Sequence, residues 1–229
     1  MTSKQFFVLA ILFMLSWGSL CWAQPDEGKE GVSVTTEQSN EPVQTKTLGQ
    51  LSEQELEDLL WMVEEERLAH DVYVKLGSKW PLRMYDNISS AEKVHIASLS
   101  NLLKNYGVDV SSLGNQSGMF THSEIQGLYS ELVERGEKTL EDAIAVGLLI
   151  EEMDIADLSK RIKRTDKKDI KQVYQFLQMG SRNHLRAFSR QAAFRNVEYV
   201  PQHLSQKEFD DIVRGSHERG RPGRGRRGF

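Results

Sequence analysis

The chain has 229 residues, the length of one large domain or two small ones. With 39% hydrophobic and 27% charged residues it can bury a core, which excludes a wholly disordered chain and a polytopic membrane protein. Five prolines, 8% aromatics and a net charge of −4 describe an acidic, helix-favouring chain, and its single cysteine excludes an intrachain disulfide or a Cys-rich zinc site.

Met1 to Ala23 carries Lys4, an apolar run from Phe6 to Leu15 and a small-residue zone from Ser16 to Ala23. That is the three-part form of a secretory signal peptide, with cleavage expected after Ala23. The apolar run is short of the ~20 residues a transmembrane span needs. Removal of residues 1–23 takes Lys4 and Cys21 with it, so the expected mature chain is cysteine-free and more acidic. It is expected to be exported, to a periplasm or to the exterior. Residues 24–47 hold Ser, Thr, Gln, Glu and Gly with few large apolar side chains, the composition of a flexible linker.

A helical domain is expected from 48 to 213. Ser52 and Glu55 form a capping box, with Leu51 and Leu56 as a hydrophobic staple. The helix that follows places Leu59, Val63, Glu66, His70 and Tyr73 at three- and four-residue spacing. A second helix is expected to open at Ser89 or Ser90, with Ile88, Glu92, His95, Leu99, Leu102 and Tyr106 on one face, and to stop at Gly107. A Ser/Gly-rich connection, 108–123, leads to a short helix from Glu124 to Arg135. Thr139 with Asp142 caps a third long helix bearing Ile144, Gly147, Leu148, Glu151, Ile155, Leu158 and Ile162. The fourth begins near Asp166 and runs through Ile170, Val173, Leu177, Ser181, His184, Leu185 and Phe188. A smaller terminal helix lies between Tyr199 and Arg214, capped by Ser205. Residues 214–229 form a basic Gly/Arg-rich tail, expected to be disordered and to touch polyanions or the protein's own acidic surface. The predicted fold is all-α: a ferritin-like four-helix bundle with one long crossover connection and a short extra helix in it.

Polar residues interrupt these apolar faces. Glu66, Glu92, His95, Glu151 and His184 fall on core-facing stripes of four helices. A buried carboxylate needs a cation, a hydrogen-bond network or a proton. Glu92 and His95, spaced i, i+3, put a carboxylate and an imidazole on one helix face, as in carboxylate-bridged di-iron and di-manganese bundles. The absence of a phosphate loop, a nucleophile elbow or a His-Glu-x-x-His zinc motif leaves this set as the chemistry of the chain.

Glu66-Arg67-Leu68-Ala69-His70-Asp71-Val72-Tyr73 resembles the first metal-ligand helix of rubrerythrin-like proteins. More closely, Glu64 to Tyr73, Gly147 to Leu158 and Gly180 to Phe188 resemble the domain of unknown function 2202 family, placed in the ferritin-like superfamily. The resemblance covers the helical domain and implies a di-metal centre without supplying a substrate. By motif position it implies Glu66, Glu92, His95, Glu151 and His184 as ligands. The symmetric template has Glu-x-x-His on two helices, but here Ser181 stands three residues before His184. Asp154, three residues after Glu151, is expected to supply the missing carboxylate, while Glu152, about 100° around the helix, is expected to be solvated.

The expected cofactor is therefore two iron ions, alternatively manganese, and the expected substrates are dioxygen, peroxide or Fe(II). Glu66 and Glu151 are expected to bridge the ions, with Glu92, His95, Asp154 and His184 each serving mainly one. Other residues carry plainer expectations: an interhelical hydrogen bond for His70, a place beside the site for Tyr73 and Tyr106, and core or loop-base filling for Trp61 and Trp80. Ser181, Arg182 and Asn183 are expected to orient His184, and His122 and His203 carry no assignment. A homodimer is one expected assembly. The alternative from a different class is a metal-free helical scaffold whose Arg-rich tail binds anionic partners.

Overall fold

The computed structural model describes residues 49–111, 113 and 116–219. The expected signal peptide, the linker and the tail beyond Arg219 lie outside the described residues. Within them the chain is all-helical: α1 (Glu53–Lys79), α2 (Arg83–Asn105), α3 (Ser123–Gly136), α4 (Leu140–Arg164), α5 (Lys168–Arg195) and α6 (Gln206–Arg214), with no strand. None of these helices is long and apolar enough to cross a membrane.

Local chemistry accounts for most boundaries. Ser52 and Glu55 form the expected capping box at α1, their reciprocal bonds measuring 3.2 and 2.9 Å. Thr139 caps α4 by accepting the Asp142 amide, and Ser205 with Glu208 repeats the capping box at α6. At the end of α5, Asn196 takes the left-handed conformation (φ 55°), which its short polar side chain tolerates. The start of α2 differs from expectation. It begins at Arg83, several residues before Ser89, because Pro81 ends α1 and the chain reverses within Trp80–Leu82. The Ser89 and Ser90 hydroxyls donate back to the Asp86 carbonyl inside the helix instead of capping it.

The four long helices pack in a ring: α1 on α2, α2 on α5, α5 on α4 and α4 on α1. The remaining two pairings of these helices make no close backbone approach, so side chains meet across the centre. Helix α3 covers α1 and α4, and α6 lies on α5. Two apolar clusters fill the interior. One holds Leu68, Tyr73, Tyr85, Ile144, Leu148 and Phe188; the other holds Leu59, Met62, Leu99, Leu158, Tyr174 and Leu177. Along α1, α2 and α5 the expected site residues fall between the two clusters, so the interior is a polar layer between apolar halves.

Two side chains depart from their expected surroundings. Glu152 is fully buried rather than solvated: the chain after α5 covers that face of α4, and Glu152 accepts the Tyr199 hydroxyl and the Gln202 and Leu204 amides. The tail, expected to be disordered from 214, is held at its beginning. Glu218 accepts bonds from Arg182 and Arg186, and its backbone carbonyl and amide bond the Asn183 side-chain amide.

Candidate metal centre

Each expected ligand arrives on a different register of the ring. Glu66 comes from α1, Glu92 and His95 from α2, Glu151 and Asp154 from α4 and His184 from α5, and all are buried. Helical spacing aims them inward because the same stripes carry the core leucines. The close approach of His95 depends on a missing side chain. A Cβ at Gly180 would sit 2.5 Å from the His95 Cε1 and closer still to Nε2. Gly147 similarly makes room for the Phe188 ring, which packs 5.3 Å from Tyr73.

The polar atoms converge as two groups of Glu, Glu and His: Glu66, Glu92 and His95, and Glu92, Glu151 and His184. Glu92 belongs to both. Its Oε2 lies 2.8 Å from His95 Nδ1 and its Oε1 lies 2.9 Å from His184 Nδ1. Glu66 Oε2 approaches the same His95 nitrogen at 3.1 Å, and Glu151 Oε2 approaches His184 Nδ1 at 3.5 Å. The two imidazoles face each other 5.7 Å apart with 29° between planes. The carboxylate shared by the two groups is Glu92. The reason is positional: α2 lies between α1 and α5 in the ring, so its glutamate reaches both histidines.

Asp154 stands beside these groups rather than within either. Its Oδ2 accepts the Ser181 hydroxyl, and its Oδ1 is buried without a hydrogen-bond partner. Glu66 Oε1 is in the same condition. His184 Nδ1 has two carboxylate oxygens nearby yet no hydrogen bond of acceptable geometry. Glu151 is oriented by Tyr73, whose hydroxyl donates to Oε1 at 2.5 Å.

Protons balance this charge. Burial pushes the Glu66 carboxyl up to about 8 against the pull of His95, with the Glu92 charge adding to the rise. Burial also raises Glu151, although His184 opposes it, and raises Asp154 well above the usual carboxylate range with the help of the Glu66 charge. Glu92 moves the other way: burial opposes its ionisation, but the His184 and His95 imidazoliums outweigh it. Burial disfavours the charged imidazoles as well, yet Glu92 and Glu151 hold His184 up at about 10, and Glu66 and Glu92 hold His95 far above its ordinary value. Burial and the Glu151 charge keep the Tyr73 phenol protonated, so it donates.

Several neighbours have other partners than expected. His70 Nδ1 pairs with Asp71 at 2.8 Å within α1, not across helices. The Tyr106 hydroxyl donates to Asp169 at 2.7 Å, away from the centre. Trp61 and Trp80 do pack on the apolar clusters as expected, Trp61 also donating to Glu65 and Trp80 to the Gly136 carbonyl. Of the residues around His184, Ser181 serves Asp154, while Arg182 and Asn183 bind Glu218. Sequence reasoning also missed Glu64 and Glu65. Both are buried, and Glu64 accepts the Thr121 and His122 amides and pairs with the His122 ring. The signal was the unbroken run Glu64-Glu65-Glu66: consecutive helical residues point about 100° apart, so one face cannot hold all three.

The chain's relatives share this helical framework. The family described as "Uncharacterized protein domain (DUF2202)" matches residues 40–216. The chain belongs to the DUF2202 family. An uncharacterized protein of Methanocaldococcus jannaschii, MJ0754, is 44% identical over 170 residues, spanning 74% of this chain and 92% of that one. The crystal structure of the hypothetical protein MJ0754 from Methanococcus jannaschii DSM 2661 matches with a TM-score of 0.72 at 42% identity. That match covers 75% of this chain and 98% of the other. The DUF2202 domain thus contains all six expected ligands.

Proposed function

We propose that this DUF2202 protein is an exported ferritin-like four-helix bundle with a carboxylate-bridged two-metal centre, iron or manganese, acting on dioxygen, peroxide or ferrous iron. The single observation carrying the reading is Glu92, whose two oxygens face two imidazole nitrogens that each have a second glutamate beside them. The ring of four long helices with its long α2–α4 connection supports the bundle reading. The donor set also fits the cations. Carboxylates and imidazoles without thiolates suit iron and manganese, and the buried unpartnered oxygens of Glu66 and Asp154 are positions a cation would satisfy.

In this reading Glu66, Glu92 and His95 would hold one ion and Glu92, Glu151 and His184 the second, with the unpartnered Asp154 oxygen as a further donor. The bound pair would supply Lewis acidity and one-electron redox capacity. Tyr73 fixes the Glu151 carboxylate, Ser181 fixes Asp154, and the two apolar clusters keep bulk water from the polar layer. The expected partners remain small substrates at the centre, an anionic surface at the Arg-rich tail and a second copy of the chain.

Metal analysis of purified mature protein tests the reading. About two iron or manganese ions per chain is the expected result; none after anaerobic reconstitution overturns it. The second reading, a metal-free scaffold, draws on one observation: the raised histidines and lowered Glu92 form an ion-pair network that neutralises itself.

A further inference from the structure

We propose that the seam between α1 and α4, lined by Asp157, Glu65 and Asp154, is the route by which divalent cations reach the centre, with Glu65 a waystation and not a ligand. The inference rests on the metal reading above but concerns residues outside both Glu-Glu-His groups. It commits to divalent first-row cations that take carboxylate and water ligands, Fe(II) and Mn(II).

Adjacent glutamates on α1 show why Glu65 is singled out. Glu64 is saturated by donors from Thr121 and His122. Glu65, only 7% exposed, has one donor, the Trp61 indole at 2.9 Å, and its Oε1 is buried with no partner. Asp154 Oδ1, on the facing helix, is buried and unpartnered as well. A buried acceptor without a donor is destabilising, and packing alone gives no reason for two of them in one seam.

The seam leads outward. Glu151, Asp154 and Asp157 recur every three residues on α4, and side-chain exposure rises from 2% at Glu151 to 26% at Asp157. The outer end of this series lies against α1, since Arg161, one turn after Asp157, and Arg164, two turns after it, reach Asp58 of that helix at 3.6 and 2.9 Å. The Trp61 indole that donates to Glu65 lies beneath the Arg161 guanidinium, 5.8 Å from its ring centre, and Arg161 pairs with Asp157, so Glu65 and Asp157 share the seam. Lys160 and Arg161 pair with the two Asp157 oxygens at the outer end, at 2.9 and 3.2 Å, and the Arg161 Nε has no hydrogen bond. Its guanidinium lies between Asp58 and Asp157, at 3.6 and 3.2 Å.

The test is the rate at which metal-free full-length mature protein takes up Co(II), followed by stopped-flow absorption of the ligated ion. Glu65→Gln and Asp157→Asn should fill to the parent stoichiometry, each about tenfold more slowly. Glutamine at 65 keeps an oxygen for the Trp61 indole, so unchanged tryptophan fluorescence verifies the local fold. Glu57→Gln removes the same charge from an exposed position on α1 and should load at the parent rate. Parent-like rates in both seam variants overturn the route and leave the metal centre standing. Equal slowing in Glu57→Gln overturns it in favour of the overall field, and lost stoichiometry in Glu65→Gln makes Glu65 a ligand. A parent protein that takes up no Co(II) overturns the metal reading itself.

Discussion

Gly180→Ala should separate metal binding from folding. The added methyl would lie 2.5 Å from His95 Cε1, whereas ordinary contact begins near 3.4 Å, so the ring must retreat by about 1 Å. The folding cost of such overpacking, about 1–3 kcal/mol, is partly offset by the ~1 kcal/mol gained when alanine replaces glycine inside a helix. The fold should therefore survive. The centre should not: His95 Nδ1 would leave its 2.8 Å approach to Glu92, and a displaced ligand weakens metal affinity by about 10–100-fold. At a metal concentration of about 100 Kd the parent gains about 2.7 kcal/mol, and the variant would keep about 0.4–1.4. For a chain of this length a metal-induced rise in melting temperature of about 5–10 °C should shrink to about 1–5 °C. Differential scanning calorimetry with and without Mn(II) measures both quantities. Gly127→Ala, in open space on α3, is the control and should keep the full rise. A Gly180→Ala protein with parent-like metal stabilisation would refute the placement of His95 as a ligand.

Glu92→Ala and His184→Ala, on different helices, should each abolish most bound metal while far-ultraviolet circular dichroism stays helical; parent-like metal content in both would falsify the centre. The metal-free protein should lose stability as pH rises from about 5 to about 10. Folded Glu66 keeps its proton to about 8 against an ordinary 4.5, and folded His184 to about 10 against 6.5, so over those windows the folded state binds more protons than the unfolded one. Their contributions are complete below 4.5 and 6.5 and are lost through the folded values, and melting in chelator across this range should show the decline. A melting temperature that climbs from pH 6 to 9 contradicts the assignment. Glu152→Ala should cost about 1–3 kcal/mol by removing the hydrogen bonds that hold residues 199–204 on α4, with metal content unchanged. Loss of metal in that variant would make Glu152 part of the centre.

Much of the framework was legible from local chemistry. Ser52, Thr139, Ser205 and the helical apolar stripes announce their helices because capping and periodicity act within a few residues. The start of α2 was misplaced because two serines imitate a cap, and only the Pro81 reversal reveals that their hydroxyls bond back into the helix. Glu152 was misjudged because a helical wheel assigns the opposite face to water, and the segment that covers it lies some fifty residues away in sequence.

The sequence by itself determined which residues are candidates for a buried polar site: inward glutamates and histidines are costly to bury, so their presence on apolar stripes marks them wherever the helices pack. Only the tertiary structure decided their relations. Helix order in the ring makes Glu92 the carboxylate that reaches both histidines, places Asp154 beside the groups and not in them, and leaves Glu65 with a bare oxygen. Periodicity fixes the direction of a side chain on its own helix, but which atoms meet depends on which helices are neighbours and at what depth.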